Sequence, residues 1–250
     1  MENKNITLLV GSGAVVDAWT PVINAIRQVT KKEIDTSYAA NCFFAQLVYL
    51  ARFYSHVDHP DCPKKLELLI DDINILKKVI SENLKTAQQK GEIKARAEFE
   101  KIISEFIIKK RNKAVLISTN WDTVIDAEIN RIVGKSIPVL HIHGDINSNI
   151  YLPTEITPEK YRQKDDEFDF GHKHINLRTL LENTDELIIY GLSLSPLDAE
   201  LLQSLCDLGS TKKVYIIDPD HENIKKNLLA IMANPNIPIE GIKPSEILTA

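Results

Sequence analysis

"NITLLVGSGA" (residues 5–14) runs a β-prone apolar segment, Ile6 to Val10, straight into a Gly-Ser-Gly turn. A short apolar run closed by glycines is the signature of a buried strand that ends at a tight turn. The pattern returns in the second half of the chain. "AVLIS" (114–118) is a β-branched run, "DTVIDAEINRIV" (122–133) an amphipathic helix and "SIPVLHIH" (136–143) another strand. "ELIIYG" (186–191) is a strand, "SPLDAELLQSLCDL" (195–208) a helix, "KVYIID" (213–218) a strand and "HENIKKNLLAIM" (221–232) a helix. Strands alternating with helices predict an α/β fold, a Rossmann-like parallel sheet with helices on both faces.

Between the first strand and its sequence partners lies a long helical stretch. In "LLIDDINILKKVISENL" (68–84), Leu69, Ile73, Leu76, Ile80 and Leu84 keep the three-four spacing of a helix face. Phe99, Ile103, Phe106 and Ile107 repeat it after a break containing Gly91. Such stripes are core. The expected organisation is therefore one domain over residues 1–250, with residues 1–35 and 112–250 as the Rossmann-like core and 36–111 as a helical insertion. Residues 145–175 lack clear periodicity, and "RQKDDEFDFGHKH" (162–174) is expected to be a loop that is acidic and exposed.

Composition bounds the function. With 250 residues, 44% of them hydrophobic, the chain can bury a substantial core. Thirty basic against 35 acidic side chains give a net charge of −5, which argues against direct nucleic-acid binding. The basic cluster Lys109, Lys110, Arg111 and Lys113 follows a helical pattern and reads as its solvated end. No apolar run has the roughly 20 residues of a membrane helix, and no membrane association is expected. Three widely spaced cysteines, Cys42, Cys62 and Cys206, and no secretory leader at Met1–Ile6 point to a reducing cytoplasm. His56, His59 and Cys62 lie close in sequence, but Pro60 and Pro63 interrupt them and no second ligand pair follows, so no metal is expected.

In an open α/β sheet, ligands sit beyond the carboxyl ends of the strands. The expected strand tips are all polar or Gly-rich: Gly11, Ser12 and Gly13; Ser118, Thr119, Asn120 and Asp122; His141, His143, Gly144 and Asp145; Gly191 and Ser193; Asp218, Pro219 and Asp220. Gly11 and Gly13 permit either a simple turn or the approach of a phosphate to backbone N–H groups at a helix start. Asp218 suits a ribose hydroxyl, or equally a cap before the last helix.

With these tips aligned, the chain resembles the sirtuin superfamily, and especially the sirtuin-like NAD+ hydrolases of bacterial antiphage, or abortive-infection, defence. "GSGAVVDAWTP" (11–21) stands where that family has its first Gly-Ala-Gly loop, with Ala14 and Val15 where a Ser is often found. "STNWD" (118–122) is similar to its Thr-Gln-Asn-Ile-Asp element, with Thr119 in place of the Gln of the deacylases. "LHIHGD" (140–145) matches its Leu-His-Gly element, "LPTEITPEKY" (152–161) its Thr-x-x-x-Tyr stretch, and "IIYGLSLSPLDAEL" (188–201) its Gly-x-Ser-x-x-x-x-Asp element. The last is shared with a wider group of abortive-infection proteins. The resemblance implies NAD as substrate, with Asn120, His143 and Asp122 catalytic and Gly11, Ser12, Gly13, Thr119, Gly191, Ser193 and Asp218 binding. It selects His143, which precedes Gly144, over His141.

The deacylases of that superfamily carry a four-cysteine zinc module, and no two cysteines here are close. The resemblance therefore implies cleavage of the nicotinamide–ribose bond of NAD+ rather than deacylation, with an oxocarbenium-like transition state. Two other readings stand beside it: a non-catalytic sensor of NAD or ADP-ribose, and a protein deacylase without zinc. It further implies gating by homo-oligomerisation or by a separate sensor protein, an ATPase or an Argonaute-like chain. The helical block from Thr36 to Arg111 and the segment near Phe168 and Phe170 are the expected contact surfaces.

Overall fold

A computed structural model describes residues 4–249. The first three residues, part of the stretch read as carrying no leader, lie outside the described residues. In chain order the elements are β1 (Asn5–Val10), a 3₁₀ turn (Ser12–Ala14), β2 (Val15–Val16), α1 (Thr20–Thr30), α2 (Ser37–His56), α3 (Cys62–Gln89) and β3 (Lys94–Ala95). There follow α4 (Glu98–Ile102), continued by a π-helical turn (Ile103–Ile108), β4 (Lys113–Ser118), α5 (Val124–Val133), β5 (Val139–His141), α6 (Lys164–Glu182) and β6 (Glu186–Tyr190). The chain closes with α7 (Ala199–Cys206), β7 (Lys213–Ile217), α8 (His221–Ile231), β8 (Ile239–Ile242) and α9 (Pro244–Thr249).

Six strands form one sheet in the order β5-β4-β1-β6-β7-β8, and every pairing is parallel. Renumbered within the sheet this is 3-2-1-4-5-6, the doubly wound Rossmann order. Both faces are covered, as an all-parallel sheet requires. Leu8 and Val10 of β1 join the core beneath α1–α5, while Leu9 faces the opposite core with Leu177 and Leu181 of α6, Leu201 and Leu205 of α7 and Leu228 of α8. The α/β class is as the alternation predicts.

Helix ends follow local chemistry. Thr36 Oγ1 accepts from Ala39 N at 3.1 Å to cap α2, and Gly134, at φ 71°, closes α5 in the left-handed region. Asp198 caps α7 by accepting from Leu201 N at 3.3 Å.

Three expectations are corrected. Residues 164–182, expected within the loop, form α6. Its buried positions Phe170, His174, Leu177 and Leu181 do keep helical spacing, but one member is a histidine, which hides the stripe from a hydrophobicity pattern. Phe170 is accordingly in the core rather than on a contact surface, whereas Phe168 is exposed. The turn after β1 does not open a helix: a 3₁₀ turn and the β2–β3 pair intervene before α1 begins at Thr20. A sixth strand, β8, extends the sheet past β7; Gly241 interrupts its apolar pattern where a side chain would strike the His221 ring.

Candidate functional site

The strand order reverses between β1 and β6, and in this fold that switch point opens a crevice at the carboxyl edge. The two loops leaving those strands touch. Gly11 N donates to Tyr190 O at 2.9 Å and Gly13 N to Gly191 O at 2.8 Å. A Cβ on Gly11 would lie 2.5 Å from Gly191 O, and Gly191 itself sits at φ 60° with Ala14 N only 2.4 Å from where its Cβ would be. The glycines of this turn are thus required by loop-on-loop contact, and the amides of Gly11 and Gly13 serve that contact. Of the two readings open to these glycines, these contacts are those of the simple turn.

Above these loops lies a cleft of about 590 Å³. Its walls include Ser12, Gly13, Thr119, Asn120, Asp122, His143, Gly191, Ser193 and Asp218. Nine of the ten residues expected at the site therefore converge on one cavity, and the tenth, Gly11, is buried beneath it.

The β4 tip explains the "STNWD" cluster. Ser118 Oγ accepts from Asn120 N at 3.0 Å, and Thr119 N donates to Val10 O at 3.0 Å, tying the turn to β1. Asn120 Nδ2 donates to Gly11 O at 3.3 Å, while its Oδ1 is buried without a partner among the described residues. Trp121 also lines the cleft, donating from Nε1 to Tyr151 O at 3.2 Å and meeting the Phe44 ring edge-on at 5.8 Å. Asp122 is buried, and its Oδ1 accepts from Val124 N at the start of α5. Burial pushes its carboxyl up to about 6.

The two histidines of the β5 tip separate by their partners. His141 uses both ring nitrogens on the protein, one with Asn120 O at 2.9 Å and the other with Asp126 Oδ2 at 3.0 Å, and braces the β4 turn. His143 engages Asp198 Oδ2 through Nε2 at 2.7 Å, and its Nδ1 is buried without a partner among the described residues. Burial works against the imidazolium, but the Asp198 charge and hydrogen bond prevail and leave the His143 pKa raised. Asp198 is lowered in turn: its burial, which opposes ionisation, is outweighed by His143 and by the amide of Leu201. Gly144 supports the turn at φ 72°, where a Cβ would overlap Asn149 O at 1.6 Å.

Three further residues complete the site. Asp198 is the acid of the Gly-x-Ser-x-x-x-x-Asp element, and that spacing from Gly191 is the signal that marks it. His174 of α6 stacks edge-on to His143 at 6.3 Å with both nitrogens buried and without partners among the described residues. Burial, together with the His143 charge, lowers it to about 4. Arg96, just past β3, lines the cleft; its Nε donates to Gly13 O at 2.7 Å. No sequence pattern singles out these last two. Asp218 lines the cleft and accepts from Asp220 N at 2.8 Å in the turn before α8, whose N-cap position is Asp220.

Cys42, Cys62 and Cys206 are free. Among the described residues no group of three or more His, Cys, Asp or Glu is arranged to hold a metal ion, and no helix is long and apolar enough to cross a membrane.

No protein-family model matches the chain, and no curated protein matches it. Solved structures do. The chain is similar to a structure from work on the mechanism and regulation of Sir2 enzymes, at 13% identity, covering 99% of this chain and 90% of that one with a TM-score of 0.45. It is similar to a Sir2 homolog in complex with NAD, at 14% identity, covering 99% and 87% with a TM-score of 0.44. A Sir2 homologue mutant with ADP-ribose gives 13%, 99% and 90%, and 0.41.

Proposed function

We propose that the protein hydrolyses NAD+ at the nicotinamide–ribose bond in the switch-point cleft. The observation that carries this reading is the His143–Asp198 pair beside Asn120, whose Oδ1 and the Nδ1 of His143 are buried polar atoms without protein partners. Buried unsatisfied groups are costly and rare, and at a cleft they mark where a ligand completes the hydrogen bonding. The five polar strand tips and the motif resemblance to sirtuin-like NAD+ hydrolases supply the ligand class.

Asn120 Oδ1 accepts from a ribose hydroxyl and fixes the sugar beneath the nicotinamide. As the glycosidic bond breaks, its electron pair goes to the pyridine nitrogen, and nicotinamide leaves neutral. Charge develops on the ribose as an oxocarbenium ion, which water attacks. With Nε2–H donating to Asp198, the neutral tautomer of His143 carries its lone pair on Nδ1, which takes the proton from that water or from a ribose hydroxyl. The products are nicotinamide, ADP-ribose and a proton. Buried Asp122 lies where the nicotinamide carboxamide is bound, and Ser193 and Asp218 hold the distal ribose side.

Unrestrained NAD+ hydrolysis would be lethal to the host cell. The proposed setting is therefore a cytoplasmic effector of antiphage defence, gated by self-assembly or by a separate sensor chain, with residues 36–111 as the insertion that receives the signal.

His143→Ala and Asn120→Ala test this directly. Each is expected to cut nicotinamide release by about 10²-fold or more, measured at a temperature where circular dichroism shows the variant folded. Wild-type rates in either variant refute the assignment. Removal of an acyl group from a lysine peptide, dependent on NAD+, would instead favour a deacylase.

A further inference from the structure

We propose that Arg96, delivered to the cleft by the helical block rather than by the sheet, recognises the diphosphate of the ligand. This rests on the NAD+ reading. Among the described residues lining the cleft, Arg96 is the only Lys or Arg, facing Asp17, Asp35, Asp122, Asp198 and Asp218. A dianionic linker entering such a cleft is repelled wherever no cation or backbone donor meets it.

Three amides of the turn after β1 are already engaged within the protein and cannot serve a phosphate. Gly11 N, Gly13 N and Ala14 N are all engaged, with Tyr190 O, Gly191 O and Gly11 O respectively. Arg96 brings a cation to the same turn. Its backbone N donates to Ala14 O at 2.9 Å and its Nε to Gly13 O at 2.7 Å, and the β2–β3 pair fixes the strand that carries it. One edge of the guanidinium is thereby pinned against the turn. The two Nη groups have no carboxylate partner among the described residues, although the Arg96 charge reaches Asp218 and Tyr190 across the tips of β7 and β6. A planar donor edge already held in place suits two phosphate oxygens and loses little rotamer freedom on binding.

It follows that the sheet alone forms an incomplete site. Any partner that shifts the β2–β3 pair moves the phosphate-recognising cation, giving the helical block direct leverage over ligand affinity.

The test is calorimetric titration of the full chain with ADP-ribose and with adenosine, for wild type, Arg96→Gln and Arg96→Lys. Glutamine keeps a donor for Gly13 O without the charge. ADP-ribose affinity is expected to fall about 10- to 100-fold in R96Q and to recover in part in R96K, with adenosine affinity unchanged. Equal ADP-ribose affinity in R96Q and wild type overturns the proposal, as does an equal loss for both ligands, which would make Arg96 a brace for the loop. Both outcomes leave the NAD+ reading standing. Wild-type protein that binds neither ligand overturns that reading and this one together.

Discussion

With Asp198 Oδ2 2.7 Å from His143 Nε2, one carboxylate controls both the tautomer and the acidity of the proposed base. A base must be neutral to work, and the His143 pKa is raised above 6.5, so activity should climb with pH through a midpoint above 6.5. Asp198→Asn removes the charge that raises it and leaves burial, which lowers it. The rising limb of the pH–rate profile should move to lower pH while kcat falls by about 10²–10⁴-fold, because an amide can donate to Nε2 and favour the wrong tautomer. An unshifted limb would contradict this role. Asp122 gives an opposite kind of prediction, in stability. Its folded-state carboxyl, raised from 3.8 to about 6, penalises the fold once ionised, fully above pH 6 and not at all below 3.8. A shift of about two units corresponds to about 3 kcal/mol at most. Asp122→Asn should therefore melt higher than wild type at pH 8, and the gap should close as pH falls through 6. A gap that persists at pH 4 would show that ionisation is not its cause. At this scale the sequence was legible where a polar residue follows a strand tip, which brought Asn120 and both histidines to the sheet edge, whereas only the motif resemblance set His143 apart from His141. It was silent on Arg96, whose role depends on β3 lying against β2, and on His174, whose neighbour His143 belongs to another element.

The elements around the cleft are joined by ion pairs that secondary-structure reasoning does not reveal. Arg52 of α2 reaches Glu159 through both Nε and Nη2 and also donates from Nη2 to Thr154 O, while Lys77 of α3 and Arg162 meet Glu155. Glu155 and Glu159 are buried, and both lie in the segment that follows His143. Their amide partners, Leu152 N and Ile156 N, shape that segment locally. Arg52→Met leaves Glu159 buried without its cation, which costs about 3 kcal/mol. The midpoint of thermal unfolding should drop by about 6–12 °C. A change of a degree or less would mean that this pair is only an incidental contact. Strands β1 and β4–β7 were legible because parallel strands buried on both faces are continuous apolar runs. Helix α6 was not, because its buried stripe includes His174 and its first turn is acidic, Asp165, Asp166 and Glu167 favouring the positive helix end while mimicking an exposed loop.

Across the whole molecule, the 3-2-1-4-5-6 order places the β1 and β6 loops at the switch point, and the helical block contributes Ser37, Asn41, Leu84 and Arg96 to the wall of the cleft. Residues of the sheet edge and of the block thus line one cavity. The strand order itself could not be read from the chain, since the long separation between β1 and β4 hides which strands are neighbours. The central claim is catalysis rather than binding, and one measurement separates them: purified protein, shown by titration to be saturated with NAD+, is incubated and its nucleotides are separated by chromatography. Loss of NAD+ with nicotinamide and ADP-ribose appearing in equal amounts is the predicted result. NAD+ bound with equal affinity and recovered intact in every assembly state would contradict it and make the cleft a sensor of the nucleotide.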